Sequence, residues 1–213
     1  MSIKLKRWQK PDRGILFIMT GASGTGKTTL VKEALNVIPH LRFSVSATTR
    51  KRREGEIDGK DYRFLSKEEF LTLQKNGSFL ESAEVYGNHY GTLRKPVLDS
   101  LEQGDSILLE IDRRGAAQIK AQMPDSVSIF ILPPSVESLE TRLRNRATDS
   151  EEIIQRRISD ARDQLDYCYQ FDYLLINDDL ESSKEQFQAV LISELLKTTQ
   201  RASWISEFSR KNI

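Results

Sequence analysis

The chain has 213 residues, 38% hydrophobic and 30% charged, and its 32 basic and 31 acidic side chains leave a formal net charge of +1. That balance argues against a general nucleic-acid surface, while one cysteine and two histidines exclude a disulfide framework, a cysteine-based zinc cluster and a histidine-rich metal site. No apolar run approaches the roughly 18 residues needed to span a bilayer, so neither membrane nor nucleic acid is expected as a partner.

The first segment, 1–14, is basic but lacks the apolar core of a secretory signal, so reducing cytoplasm is the expected compartment. Residues 15–19 are apolar throughout and predict a strand over 15–20. Gly21-Ala22-Ser23-Gly24-Thr25-Gly26-Lys27-Thr28 follows, and a helix is expected over 27–38, with Thr29 in its first turn. Strand, glycine-rich loop and helix is the setting a phosphate-binding P-loop requires. Its glycines let backbone N–H groups turn inward around an anion, and the helix dipole adds to that attraction. Lys27 offers a point charge to the β- and γ-phosphates, and Thr28 a hydroxyl to Mg²⁺. A nucleoside triphosphate is therefore expected here.

A second strand is expected at 43–46. From Ala47 to Leu93 the chain turns polar and rich in glycine, with one helix opened by the capping box Ser66-Lys67-Glu68-Glu69 and stopped near Gly77. This stretch reads as a separate, antiparallel lobe. Strand 106–111 runs into Glu110-Ile111-Asp112, placing two acids where open α/β sheets hold ligands. A helix at 113–122 and a strand at 127–132 follow. Pro133-Pro134 ends that strand, and Ser135 caps a helix over 135–146.

Residues 137–160 are densely charged around a break at 147–150 and read as a mobile helical lid. Arg142 and Arg146 share one helical face, and Arg157 lies just past the break. Arg144 and Arg156 read as solvated charges. A helix over 151–168 carries the stripe Ile154, Ile158, Ala161, Leu165 and Cys168, which makes Cys168 a packed core thiol. Strand 173–176 and helix 182–200 complete the alternation. Residues 201–213 read as an extension whose Trp204, Ile205 and Phe208 leave room for a homo-oligomer.

Alternating strands and helices predict an α/β fold with a five-stranded, mainly parallel core around the P-loop. The core is assigned 1–46, 94–136 and 161–200, with a mixed α+β lobe at 47–93 and the helical lid at 137–160.

The hydroxyl- and arginine-rich segment from Phe43 to Glu56, Gly59-Lys60-Asp61-Tyr62, Glu81 and Gly87-Asn88-His89-Tyr90-Gly91-Thr92 occur in that order. Together with the P-loop they resemble the guanylate kinase family over about Gly14 to Lys197. The resemblance implies that Arg50, Arg53, Tyr62 and Tyr90 hold the phosphate of GMP. It implies that Ser46, Glu81 and Thr92 read the guanine, and it places Glu56 and Glu110 among the GMP contacts. Asp112 is assigned a magnesium or substrate role, and Asn177 a place near the adenine of ATP. Arg142, Arg146 and Arg157 are expected to bridge the two phosphates when the lid closes.

Elementary chemistry agrees with these roles. Guanidinium forks match phosphate oxygens. A carboxylate accepts from both guanine N1–H and its exocyclic amine, groups adenine lacks at those positions. The implied reaction is Mg²⁺-dependent transfer from ATP to GMP, and to dGMP, giving ADP and the nucleoside diphosphate. The chain departs from the family at Arg52, Ser82, Arg114 and Ala147, none of them a residue assigned to base or phosphate. A non-catalytic phosphopeptide-binding relative would show a degraded P-loop or missing lid arginines. A ribose bisphosphate kinase would lack the guanine readers, and a regulatory GTPase would carry an Asn-Lys-x-Asp motif. This chain has an intact P-loop, the arginines and the readers, and lacks that motif.

Overall fold

A computed structural model describes residues 10–85, 87–145, 150–163 and 165–211. In chain order the elements are β1 (Leu16–Gly21), α1 (Lys27–Val37), β2 (Leu41–Phe43), β3 (Ala47–Thr48), β4 (Arg63–Phe64), α2 (Lys67–Lys75), β5 (Phe79–Val85) and β6 (Asn88–Leu93). There follow α3 (Arg94–Glu102), β7 (Ser106–Glu110), α4 (Arg113–Gln122), β8 (Val127–Leu132), α5 (Val136–Asn145) and α6 (Glu151–Asp163). The last are β9 (Tyr173–Ile176), α7 (Leu180–Leu195) and α8 (Ala202–Lys211).

The main sheet is wholly parallel, in the order β2-β7-β1-β8-β9. Its central strand is apolar on both faces because helices cover both. On one side Phe17, Met19, Leu108, Ile129 and Ile131 meet Leu30 and Ala34 of α1 and Phe187 and Leu191 of α7. On the other, Leu16, Ile18, Ile107 and Leu109 meet Val97 and Leu101 of α3 and Ala116 and Ile119 of α4. The order reverses at β1, whose neighbours β7 and β8 lead to opposite edges. The carboxyl end of β1 is thus the switch point at which such sheets hold ligands.

The second sheet has the order β4-β3-β6-β5. It is mixed rather than antiparallel, because β3 and β4 run parallel while β6 opposes both of its neighbours. Its small core stacks Phe70 of α2 on Phe79, with ring centroids 4.5 Å apart. The expected capping box forms: Ser66 Oγ accepts from Glu69 N–H, and Glu69 Oε2 from Ser66 N–H. Leu80 of β5 leaves this core and packs into the main one beside Ala116 and Ile119.

Several boundaries differ from expectation. The second strand occupies Leu41–Phe43 rather than 43–46, because Ser44 makes the last bond to Leu108 before the chain leaves for the second sheet. Helix α3 gives no capping signal, since Leu93 occupies its N-cap. The helix expected over 151–168 stops at Asp163, and Cys168 lies half-buried in a 3-10 segment rather than in the core stripe. Helix α7 begins at Leu180, capped by Asp179, and a 3-10 turn replaces its expected last residues. Residues 202–211 form a helix tied back to Asp12, whose Oδ2 accepts Ser203 N–H at 2.7 Å. No helix among the described residues is long and apolar enough to cross a membrane.

Candidate functional site

The P-loop joins β1 to α1 around Gly26, the N-cap of α1, which lies at φ 90° and gives no side-chain cap to the helix. A helix start without a side-chain cap favours an anion beside it. A Cβ at position 26 would lie 2.3 Å from Asn177 Nδ2, so only glycine fits both the turn and this neighbour. Lys27 Nζ donates to Gly21 O at 2.9 Å and Ala22 O at 3.0 Å, and stands 3.6 Å from Glu110 Oε1. Thr28 and Thr29 are exposed at the helix start, as is Ser23 on the loop. Thr25 is buried, its hydroxyl donating to Ala22 O at 2.9 Å.

Asn177 is buried at the end of β9, and its Nδ2 donates to Thr25 O at 2.6 Å. Its amide therefore braces the P-loop from beneath. Its backbone carbonyl accepts from Arg142 Nη1 at 3.0 Å, and Asp178 O from Arg142 Nη2 at 3.3 Å. Arg157 Nη1 donates to Ser23 Oγ at 3.2 Å. Arg157 thus reaches the P-loop and Arg142 the Asn177–Asp178 segment that braces it, whereas Arg146, expected to act with them, lies outside the described residues. Ala22 packs beneath Leu139 and Leu143 of α5 and Ile154, Ile158 and Ala161 of α6, which seats the helical pair on the loop. Arg144 joins the two helices by bonding Glu140 and Glu151, each at 2.7–2.8 Å.

The second sheet presents the other expected cluster. Arg50 Nη1 and Nη2 donate to the two carboxylate oxygens of Glu56 at 3.1 and 2.7 Å, and Arg53 N–H donates to Glu56 Oε2 at 2.7 Å. These bonds, Arg50 foremost, hold Glu56 down at about 2. Its carboxylate in turn raises Arg50. The Arg50 guanidinium lies 5.4 Å from the Tyr62 ring centroid, and Tyr62 meets Tyr90 edge-on at 6.1 Å. Burial, then the nearby Tyr90, pushes the Tyr62 phenol upward, so it remains a proton donor. Glu56 therefore organises the arginines, while the Arg53 side chain is exposed.

Glu81 on β5 faces Thr92 on β6, and both are buried. Thr92 Oγ1 donates to Glu81 Oε1 at 2.7 Å. Burial outweighs that bond and, with the charge of Asp112, pushes Glu81 up to about 7. Ser46 is half-buried at the start of β3, its carbonyl accepting Arg63 N–H at 2.9 Å. Asp112 is the N-cap of α4: its Oδ1 accepts Gly115 N–H at 2.8 Å, leaving Oδ2 3.6 Å from Arg114 Nε. One of its two oxygens is therefore committed to the fold.

A cleft of about 330 Å³ lies at the carboxyl end of β1, lined by Thr20, Gly21, Glu84, Asp112 and Arg156 among others. Arg156, read from sequence as a solvated charge, thus reaches the site beside Arg157. The pairing of two adjacent arginines near the start of α6 was the only signal available for it. The larger cavity of about 700 Å³ around Arg13, Lys120 and Asp172 lies at the opposite, amino-terminal end of the sheet. Its lysines are matched to acids, Lys120 with Asp172 and Lys197 with Glu194.

A family model described as guanylate kinase matches residues 13–194. The chain is 48% identical over 185 residues to a guanylate kinase of Carboxydothermus hydrogenoformans, covering 87% of this chain and 91% of that protein. It is 44% identical to one from Alcanivorax borkumensis, with 90% and 93% covered. Among solved structures, guanylate kinase from Anaplasma phagocytophilum superposes with a TM-score of 0.72 at 36% identity, covering 90% of each chain.

Proposed function

The chain belongs to the guanylate kinase family, and from that membership we propose how its cleft works as an ATP:GMP phosphotransferase. It transfers the γ-phosphoryl group of ATP to GMP, giving ADP and GDP. In our reading the P-loop from Gly21 to Thr29 takes ATP, and Lys27 is drawn from its loop carbonyls and Glu110 onto the β- and γ-phosphates. Arg50, Arg53, Tyr62 and Tyr90 take the phosphate of GMP, and Ser46, Glu81 and Thr92 its base. None of these contacts needs the ribose 2′-hydroxyl, so dGMP should serve as well. Residues 47–93 then act as the acceptor lobe, and 137–160 as the lid.

The acceptor is a phosphate oxygen whose second ionisation lies near 6, so it arrives largely deprotonated and needs no general base. The barrier is repulsion between two polyanions, and catalysis consists of positioning and charge neutralisation. Lys27 acts on the donor and Arg50 on the acceptor, while Arg142 and Arg157 approach from α5 and α6. Closure of those helices would also exclude water, which protects the γ-phosphoryl group from hydrolysis.

Mg²⁺ fits this site. Among the described residues no three His, Cys, Asp or Glu side chains gather into a cage, and Mg²⁺ is commonly held by one or two protein oxygens with phosphates and water. Thr28, exposed at the start of α1, would hold it, with Asp112 contributing through Oδ2, the oxygen that does not cap α4. The ion would neutralise charge on the transferring group.

The observation that supports this assignment is the buried Glu81–Thr92 pair, a carboxylate with one oxygen held by a hydroxyl and near enough to Asp112 to feel its charge. An ADP-release assay offering ATP with GMP, dGMP, AMP, CMP or UMP in turn tests it. Turnover is expected with the two guanine nucleotides, and strong turnover with AMP but not GMP would overturn it.

A further inference from the structure

Strand β5 is an edge of its sheet: β6 pairs with it on one side, and its other side lies against α4. Edge strands expose alternate N–H and C=O groups that need partners. Here α4 supplies them from a single face. Gln118 Oε1 accepts Ser82 N–H at 3.1 Å, and Gln118 Nε2 donates to Ser82 O at 3.1 Å. The carboxamide thus offers one acceptor and one donor to a single residue, as a neighbouring strand would. One turn on, Gln122 Nε2 donates to Leu80 O at 2.7 Å, and its Oε1 accepts from Arg94 Nη2 at 2.6 Å. One turn back, Gly115 lies against Glu81 itself, where a Cβ would stand 2.7 Å from Glu81 Oε2.

Residues 80, 81 and 82 are therefore each fixed by α4. Two are held through their backbones and the middle one by contact with its carboxylate. Leu80 adds an apolar anchor in the cluster of Ala116 and Ile119. We propose that Gln118 is a positioning residue and Gly115 a specificity-determining residue for the base of the monophosphate, so that a helix of the P-loop core sets the guanine-reading edge. The inference rests on the reading of Glu81 given above. Gln118 never touches the nucleotide. Its bidentate pairing fixes where Glu81 begins, and the missing side chain at 115 fixes where its carboxylate can end.

Steady-state kinetics and calorimetric binding of GMP and IMP test this in Gln118→Met, Gln118→Glu, Gly115→Ala and Glu81→Gln. IMP keeps the N1–H but lacks the exocyclic amine, so the GMP-to-IMP ratio reports the placement of the carboxylate. Gln118→Met removes both hydrogen bonds at similar length, and GMP KM should rise about tenfold while kcat and ATP KM stay within about twofold. Gln118→Glu keeps the acceptor and should recover part of that loss. Gly115→Ala should raise GMP KM at least as much and narrow the GMP-to-IMP ratio. An unchanged GMP KM in folded Gln118→Met, or an equal rise in ATP KM, would overturn the proposal. So would full recovery of GMP binding in Gly115→Ala. If Glu81→Gln leaves the GMP-to-IMP ratio intact, the reading of Glu81 has failed instead. Should Gln118→Met not fold, Gln118→Glu and Gly115→Ala carry the same decision.

Discussion

Thr92 Oγ1 donates to Glu81 Oε1 at 2.7 Å across two paired strands, and burial nevertheless lifts Glu81 to about 7. Guanine offers two donors and so needs the ionised carboxylate. GMP KM should fall as pH rises through about 7, with proton release on binding below that pH. The acceptor phosphate titrates nearer 6, so Glu81→Gln, which keeps the phosphate contacts, separates the two: its profile should lose the step near 7. Stability moves the other way. The raised carboxylate binds its proton more tightly folded than unfolded, so stability falls as pH climbs from about 4.5 to about 7. At about 1.4 kcal/mol per unit, the loss is at most on the order of 3 kcal/mol. A Glu81→Gln variant whose melting temperature keeps the wild-type pH dependence over that window would refute the burial argument.

Glu56 behaves oppositely, which lets pH distinguish the proposed base contacts from the proposed phosphate contacts. Its carboxylate, held down at about 2, stays ionised and paired with Arg50 above the acid range. The stability it contributes is present above about 4.5 and is lost only as pH falls toward about 2. Glu56→Gln should therefore raise GMP KM at neutral pH by about tenfold with little change in kcat, through disorder of Arg50 and the Arg53 backbone. The step near pH 7 should survive in this variant. Its disappearance would mean that Glu56, not Glu81, carries the titration.

The parts of this site that were legible in the sequence are those written in contiguous residues. The P-loop needs glycines at fixed spacing before a helix, and the capping box at Ser66 needs its glutamate three residues on, so both appear where expected. What stayed hidden depends on side chains meeting across the fold. Nothing near Asn177 indicates that its amide lies 2.6 Å from Thr25 O, 152 positions away. Nor does the segment 113–122 single out Gln118, whose carboxamide meets Ser82 only once β5 lies beside α4. The second strand was misplaced because Phe43-Ser44-Val45-Ser46 has strand composition, whereas the pairing actually made is that of Leu41–Phe43 with Ser106–Leu108.

The Asn177 amide predicts an asymmetry between two small substitutions. Asn177→Ala removes the donor to Thr25 O and leaves a buried carbonyl unpaired, at a cost of about 1–3 kcal/mol. Asn177→Asp puts a second acceptor against that carbonyl and should be worse in both melting temperature and ATP KM. Gly26→Ala collides with the same amide. Its effect on ATP KM should be smaller in the Asn177→Ala background than alone, though strain at φ 90° persists. Equal stability of the Asp and wild-type proteins, or strict additivity of the pair, would remove Asn177 from the support of the loop.

Lys27 stands at the start of α1, and Arg157 of α6 reaches the P-loop through Ser23 Oγ at 3.2 Å. Their losses should differ in kind. In the proposed assignment Lys27 meets the triphosphate in both ground and transition states, so Lys27→Ala should weaken ATP binding and cut kcat by about 10³ or more. In the same assignment Arg157, which reaches Ser23 Oγ of the P-loop, meets the transferring phosphoryl group chiefly as charge develops in the transition state. Arg157→Ala should therefore lower kcat by about 10²–10³ and leave ATP and GMP KM within about threefold. Arg157→Lys keeps the charge but not the fork and should recover only part of the rate. A rise in both KM values with kcat intact would make Arg157 a binding residue, and substantial transfer in Lys27→Ala would put the donor site elsewhere.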